Sequence, residues 1–494
     1  MISQNRSRIR SFHAPEKPRS IIKSPAKPRS FPRKRFVGSN SRFGHAENQK
    51  PLGKPTTETL SLPKVNENIR IIPLGGVEEI GKNLTVVEIG EDILIIDAGF
   101  QFKDEDTPGV DYILPNTKYL EERKEKIRGV IITHGHLDHI GGIPYIMYRI
   151  NNPPIYSRAL TTIMIKKRQE EFPHLPPLDI RMVEKEDTIV LGKLRVKFFN
   201  VTHTIPDSMG IIIETPYGNI VTPGDIKLEH ENGIPTEREE EEYKKFQDSK
   251  TLLLLMDSTN VDNPGFSTPE KLVCRNLEEI IKNTKRRLII GTFSSQLERI
   301  IAIIEAAERC GKKVVVEGRS MKQNIEIVIA LGRLKVRKET IISVEDIENY
   351  PPDRMVVLAT GAQGDEFAAL MRMSNKSHKY MKISKRDTVL LSSSIIPGNE
   401  RAVQKLKDNL TRQGAKIIHY RTSDVYIHST GHGNRGELEW IHKKIRPKFF
   451  IPIHGNHYML RIHEEVAQNL GMPEKNIVVP DNGMIIEIQD KGEK

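Results

Sequence analysis

From residue 69 onward, short runs of Ile, Val and Leu alternate with segments whose apolar positions recur every three or four residues. Apolar runs bounded by Gly and polar residues predict buried strands, and the 3.6-residue period predicts amphipathic helices. Strands are expected at residues 69–74, 84–88, 93–96, 130–133, 220–222, 252–256, 355–358 and 449–453, and helices at 267–283, 296–310 and 401–413. This alternation predicts an α/β fold. Polar residues stand at the ends of five of these runs: Asp97, His134, Asp225, Asp257 and His454. Loops beyond the carboxyl ends of strands converge on one crevice in α/β sheets, so these five residues are expected to share it.

Residues 1–67 break the pattern. They are rich in Pro, Ser, Lys and Arg, repeat Lys-Pro-Arg-Ser at Lys17 and Lys27, and show neither period, so a disordered extension is expected. The formal net charge of the chain is +11, and this segment holds 15 Lys and Arg against 4 Glu. All the excess charge is therefore in the extension. It reads as an RNA tether, as a solvated tail or, being Arg- and Ser-rich and poor in acid, as an organellar transit peptide.

The 494 residues, 37% hydrophobic and 29% charged, are enough for two ordinary cores, so more than one domain is expected. Two cysteines, Cys274 and Cys310, cannot build a disulfide scaffold or a four-cysteine zinc site. Any metal must then be held by histidines and carboxylates. No apolar stretch approaches the roughly 20 residues that span a bilayer, and the N-terminus has no apolar signal core. A cytoplasmic protein of bacterial type without membrane contact is expected, with organellar targeting as the alternative.

The strongest chemical signal is His134-Gly135-His136-Leu137-Asp138-His139. Three imidazoles and a carboxylate on one loop exceed what a single tetrahedral ion needs when one position is kept for water, so two metals are implied. His203, Asp225 and His454 are further ligand candidates at later strand ends. Asp225 is the natural bridge, because the turn at Gly224 lets it approach closely.

These residues resemble the metallo-β-lactamase superfamily. Other motifs narrow the resemblance to β-CASP nucleases and, within them, to the ribonuclease J family: Leu74-Gly75-Gly76-Val77, Asp257-Ser258-Thr259-Asn260, Gly318-Arg319-Ser320-Met321, Thr360-Gly361-Ala362-Gln363-Gly364, Pro397-Gly398-Asn399-Glu400, His428-Ser429-Thr430-Gly431-His432 and Pro452-Ile453-His454-Gly455. The resemblance implies an αββα sandwich with an inserted α/β β-CASP domain. Its expected parts are the sandwich at 68–265 and 426–494 and the insert at 266–425, with no separate C-terminal domain after it.

The resemblance also implies roles. His134, His136 and His203 would hold one divalent ion, Asp138, His139 and His454 a second, and Asp225 would bridge them, the ions being zinc with manganese as the alternative. Asp97 would orient ligands from behind. Asp138, Asp257 and His432 would be catalytic, with Asp257 bonding His432 as the proton donor. Ser295, His428, Thr430 and His432 would form a pocket for a 5′-phosphate, although Ser295 also reads as a helix N-cap. Gly361, Gln363 and Gly364 would approach RNA, although such glycines are usually only turns.

The implied activity is 5′-to-3′ exonuclease and endonuclease cleavage of single-stranded RNA in maturation and decay, by a homodimer or larger homo-oligomer. The chain departs from the family pattern at His454-Gly455-Asn456-His457-Tyr458, where an acidic residue and an arginine are usual, and at Thr430, where serine is usual. The departures at Asn456 and Tyr458 motivate the competing expectation of a catalytically impaired RNA-binding subunit.

The charge division makes a prediction. Removing residues 1–60 should weaken RNA binding most at low salt and flatten the dependence of log affinity on log salt, which for a single strand is about −0.7 per phosphate neutralised. An unchanged salt slope would assign the tail to targeting or a protein partner.

Overall fold

The computed structural model describes residues 68–102, 107, 109–396 and 398–494. The disorder expected for residues 1–67 lies outside the described residues, as does Pro397.

Two sheets form a sandwich. The first has seven strands in the order Ile486–Ile488, Ile69–Gly75, Leu84–Ile89, Asp92–Ile96, Ile127–Ile131, Ile155–Ser157 and Ile180–Met182. The second has six, in the order Phe449–Ile453, Thr251–Asp257, Gly218–Thr222, Met209–Thr215, Leu194–Asn200 and Thr188–Leu191. Side chains alternate between the faces of a strand, and the core follows that period. Ile69, Ile71, Val87 and Leu94 of the first sheet pack against Val196, Ile211, Leu253 and Leu255 of the second. The intervening Ile72, Val86 and Ile95 point outward to Ile140, Ile143 and Ile146, while Leu254 and Met256 meet Leu438, Ile441 and Val466. Both sheets are thus covered on both faces, which is why their strands read as nearly unbroken apolar runs.

A third sheet is wholly parallel, in the order Ile341–Ile342, Lys313–Glu317, Met355–Ala359, Leu288–Gly291, Thr388–Leu391 and Lys416–His419. One face packs on helices Glu270–Asn283, Leu297–Arg309 and Arg319–Ala330. The other packs on Ala369–Ser374 and Glu400–Arg412. The chain leaves the sandwich after Asp257, builds this sheet, and returns in Phe449–Ile453, parallel to Thr251–Asp257 with Asp257 opposite Ile453. The exit and the return therefore place Asp257 beside His454. Among the described residues, no helix is long and apolar enough to cross a membrane.

Two predicted boundaries shift for a physical reason. The strand expected at 130–133 is Ile127–Ile131, because the Thr133 N–H donates to Asp97 rather than to a neighbouring strand. The helix expected from residue 267 starts at Glu270. Ser267 serves Glu437 instead, donating its N–H to Oε2 at 2.7 Å and its hydroxyl to Oε1 at 2.6 Å.

Glu437 is fully buried and also accepts the Asn434 N–H at 2.7 Å, forming a capping box at the helix Arg435–Ile445. One carboxylate thus fastens the start of the insert to the chain's return. Glu437→Ala would leave the backbone donors of Leu228, Ser267 and Asn434 unpaired and should lower stability by roughly 3 kcal/mol, read as a fall in urea midpoint, with Glu437→Gln losing less.

Candidate metal centre and active site

Asp97 and His454 each follow a strand and adopt left-handed backbone angles, with φ of 63° and 52°. Non-glycine residues rarely accept this conformation, and it clusters at functional sites. It turns both side chains into the crevice at the strand ends. Gly224 reaches φ 68° in the turn before Asp225, where a Cβ would press on the Thr133 side chain.

Three imidazoles converge on one point. His134 Nε2 lies 3.0 Å from His136 Nδ1, which lies 3.2 Å from His203 Nε2. His203 donates its other ring N–H to the Gly431 carbonyl at 2.6 Å, so its Nε2 carries a lone pair. Burial, then the mutual proximity of the rings, keeps all three neutral: His136 is lowered to about 4, and His134 and His203 fall well below the usual range. Three neutral rings whose nitrogens meet at one point, His203 with its lone pair turned inward, are a donor set suited to a cation. Asp225 Oδ2 stands 3.5 Å from His134 Nε2 and 3.8 Å from His203 Nε2 and has no hydrogen-bond partner of its own.

A second group faces the other oxygen. Asp225 Oδ1 is 3.3 Å from His139 Nε2 and 3.7 Å from His454 Nε2, and Asp138 Oδ2 is 3.5 and 3.2 Å from the same two nitrogens. Burial opposes charge on His139 and His454, but the surrounding carboxylates outweigh it and raise both well above the usual range. A proton and a cation thus compete for the same lone pairs. In each group the candidate ligand atoms lie within 4.8 Å of one another. Ligands of a tetrahedral ion with bonds of about 2.1 Å stand about 3.4 Å apart, so the donor set fits divalent metal on both sides of Asp225.

The surroundings fix the candidate ligand rings. Asp97 accepts from His139 Nδ1 at 2.8 Å and from the Thr133 N–H at 2.8 Å. Thr259 Oγ1 lies 2.7 Å from His454 Nδ1 and donates to Asp257 Oδ1 at 2.7 Å. Asp257 Oδ2 accepts from His432 Nδ1 at 2.6 Å. Burial would raise the Asp257 carboxyl, but His432 beside it holds it far below the usual range. In turn the carboxylates of Asp257 and Asp225 overcome burial and raise His432. Thr259 sits in a motif singled out in the sequence, yet nothing in its spacing foretells contact with His454, and Asn83, whose Nδ2 lies 3.1 Å from His139 Nε2, carries no such signal.

The expected phosphate and RNA positions fare unevenly. The cap of helix Leu297–Arg309 is Gln296, so the capping reading of Ser295 falls away. Thr430 Oγ1 accepts from Asn260 Nδ2 at 3.0 Å and from the His432 N–H at 3.2 Å, leaving its own proton to give. His428 Nδ1 lies 2.9 Å from Arg299 Nη1. Gln363 is buried, with its amide spent on Ser394 O at 2.7 Å and the Ile396 N–H at 2.8 Å. Gly361 and Gly364, both at positive φ, back onto Ala368 and Ala402. These three positions hold the loop to the protein, and their geometry gives them a packing role.

Such a sandwich, with imidazoles and carboxylates gathered at its strand ends, is the framework of a metal-dependent hydrolase, and the similarities that follow narrow it to the nucleases. Residues 78–258 match the family model described as the metallo-beta-lactamase superfamily, and residues 285–410 that of the ribonuclease J beta-CASP domain. The chain is 34% identical to ribonuclease J2 of Bacillus subtilis, covering 87% of this chain and 77% of that protein. It is 38% identical to ribonuclease J of Synechocystis sp., covering 85% and 66%, and 36% identical to ribonuclease J of Thermus thermophilus, covering 85% and 74%. A crystal structure of a protein of unknown function from Enterococcus faecalis superposes with a TM-score of 0.61 at 17% identity, over 85% of this chain and all of that one, and shares the fold. The chain belongs to the ribonuclease J family.

Because Asp225 faces both groups, Asp225→Ala should lose metal from both sides. His136→Ala should lose it mainly from one, and elemental analysis of the purified variants would read the difference as stoichiometry.

Proposed function

We propose that this protein hydrolyses single-stranded RNA, removing nucleotides from a 5′-monophosphate end and also cutting internally, in RNA maturation and decay. The observation that carries this reading is the Asp225 carboxylate, whose two oxygens face two separate donor sets beside a histidine held by Asp257. The names of the relatives, ribonuclease J and J2, support RNA as the substrate.

His134, His136 and His203 would hold one divalent ion, Asp138, His139 and His454 the other, with Asp225 between. When bound, zinc or manganese there supplies Lewis acidity that lowers the pKa of water from 15.7 toward about 7 and balances phosphodiester charge. Asp97 keeps the His139 proton on Nδ1 and so leaves Nε2 free to ligate. Asp257 also accepts from His432 Nδ1 and, with Asp225, favours the doubly protonated ring, which carries its second proton on Nε2, 3.9 Å from Asp225. From that nitrogen a proton reaches the leaving 3′ oxygen. The products are a 5′-phosphate and a 3′-hydroxyl. No base edge takes part, so strandedness matters more than sequence.

Ser295, His428, Thr430 and His432 would receive the terminal phosphate. Donors dominate this set, as an anion requires.

Metal-loaded protein should degrade 5′-monophosphorylated RNA faster than 5′-triphosphate or 5′-hydroxyl RNA, and chelator should stop cleavage. His432→Ala should lower kcat by about 100-fold or more while RNA binding persists. Tight RNA binding by metal-loaded wild type without cleavage would overturn the proposal in favour of the impaired RNA-binding subunit.

A further inference from the structure

Arg299 is the largest fully buried side chain among the described residues. Its Nε and Nη2 donate to the two oxygens of Glu270, both at 2.7 Å, in the bidentate fork that suits a guanidinium. Of the remaining hydrogens one faces the Ser392 carbonyl, 3.3 Å from Nη1, and two are turned on one short segment. Nη2 donates to the Ser429 carbonyl at 3.0 Å, and Nη1 lies 2.9 Å from His428 Nδ1.

The same segment is held from other sides. Lys227, 1% exposed, donates to the Thr430 carbonyl and to Ser429 Oγ, both at 3.3 Å, and stands 3.5 Å from Glu270. Ser392 Oγ donates to the Ile427 carbonyl at 2.6 Å. Residues 427–430 belong to no strand. Buried carbonyls that no sheet satisfies must find other donors, and here the carbonyls of Ile427, Ser429 and Thr430 are taken by side chains from three separate segments of the chain.

The chemistry of the Arg299 contact is directional. A guanidinium has no acceptor and does not deprotonate in proteins. At 2.9 Å the His428 Nδ1 must therefore accept, and the ring's proton sits on Nε2. Burial and the adjacent charge lower His428 to about 3, so the ring stays neutral. Lys227 and Arg299 face one close carboxylate, Glu270, which they hold at about 2 against the effect of burial. Glu298, the other acid near Lys227, is pushed up to about 7 by burial and is only partly charged at neutral pH. The excess charge beneath residues 427–430 is positive.

We propose that Arg299 is a positioning residue for recognition of the terminal phosphate: it fixes the His428 proton on Nε2 and pins residues 427–430, so that the pocket offers donors and no lone pair at this position. This inference rests on the reading of His428 and Thr430 as a 5′-phosphate pocket. Nothing in the proposed cleavage step requires Arg299, so its contribution is confined to substrates that carry the phosphate.

The test uses full-length metal-loaded protein and two RNAs of one sequence, with a 5′-monophosphate or a 5′-hydroxyl. Arg299→Lys should lower kcat/KM on the monophosphate by about tenfold and leave the hydroxyl RNA unchanged. His428→Ala should likewise lower kcat/KM on the monophosphate by about tenfold, and the double variant should lose little more there, because both changes remove one interaction. A purely structural role would lower both RNAs together, and that outcome overturns the inference, as does full additivity with His428→Ala. Wild type that treats both ends alike overturns the pocket reading itself, whereas discrimination that survives Arg299→Lys overturns this inference alone. Should Arg299→Lys not fold, nitrogen-15 spectra of histidine-labelled wild type decide the matter, since a His428 proton found on Nδ1 sinks the proposal.

Discussion

Burying the Asp225 carboxylate costs several kcal/mol in desolvation unless positive charge lies close by. Five imidazoles stand within 3.9 Å of its oxygens, those of His134, His139, His203, His432 and His454. Protons alone solve the problem only in part, because His134 and His203 are held neutral by burial and by each other. Much of the architecture serves this arrangement. The strand Gly218–Thr222 brings Asp225 to the edge, the Gly224 turn admits it, and the loop after Ile127–Ile131 carries four candidate ligands to one side. The strand Phe449–Ile453 delivers the last from the far end of the chain.

That last delivery explains why the insert is fastened so firmly. His454 reaches the site only if the chain, after building the third sheet, returns in register beside Thr251–Asp257. Glu437 ties the exit to the return, and Glu270 and Arg299 tie two helices of the insert to residues 428–430. Each of these is a buried charge with well-formed partners. Removing one partner of such a group costs far more than the intact pair contributes, so the joint is intolerant of single losses. The candidate proton donor His432 stands just beyond this joint and is held instead by Asp257 of the sandwich, through Nδ1 at 2.6 Å.

The sequence was legible wherever one residue type in one period has a single physical outcome. Buried parallel strands announce themselves as apolar runs, and a loop with three histidines and an aspartate in six residues has few uses other than metal. Partnerships across long separations were not legible. Arg299 reads as one cationic position on an amphipathic helix, and only the fold shows it fully buried against Glu270 and His428. Gln363 looked free in a Gly-rich loop, yet its amide is consumed by Ser394 and Ile396. Ser267 looked like a helix start, but a carboxylate 170 residues away claims it. In each case the deciding partner lies at least 29 residues away in sequence, where periodicity carries no information.

The departure at Asn456 shows how a local loss can be met from elsewhere. Asn456, where the sequence departs from the pattern it resembles, precedes the helix His457–Asn469 without a side-chain capping bond. The loop after Ile69–Gly75 closes over the same place. The Gly76 carbonyl accepts the His454 N–H at 2.5 Å, Glu79 bridges Gly455, and the Glu78 carboxylate lies 2.8 Å from His457 Nδ1. Glu78 holds φ 63° there, the strained angle also adopted by Asp97 and His454. An acid is therefore brought to this corner across the chain, on the outer side of the His454 turn. Its pairing with His457 is exposed and worth little in stability. The backbone bond from His454 to Gly76 matters more, because it fixes the one candidate ligand that arrives from the C-terminal part of the sandwich.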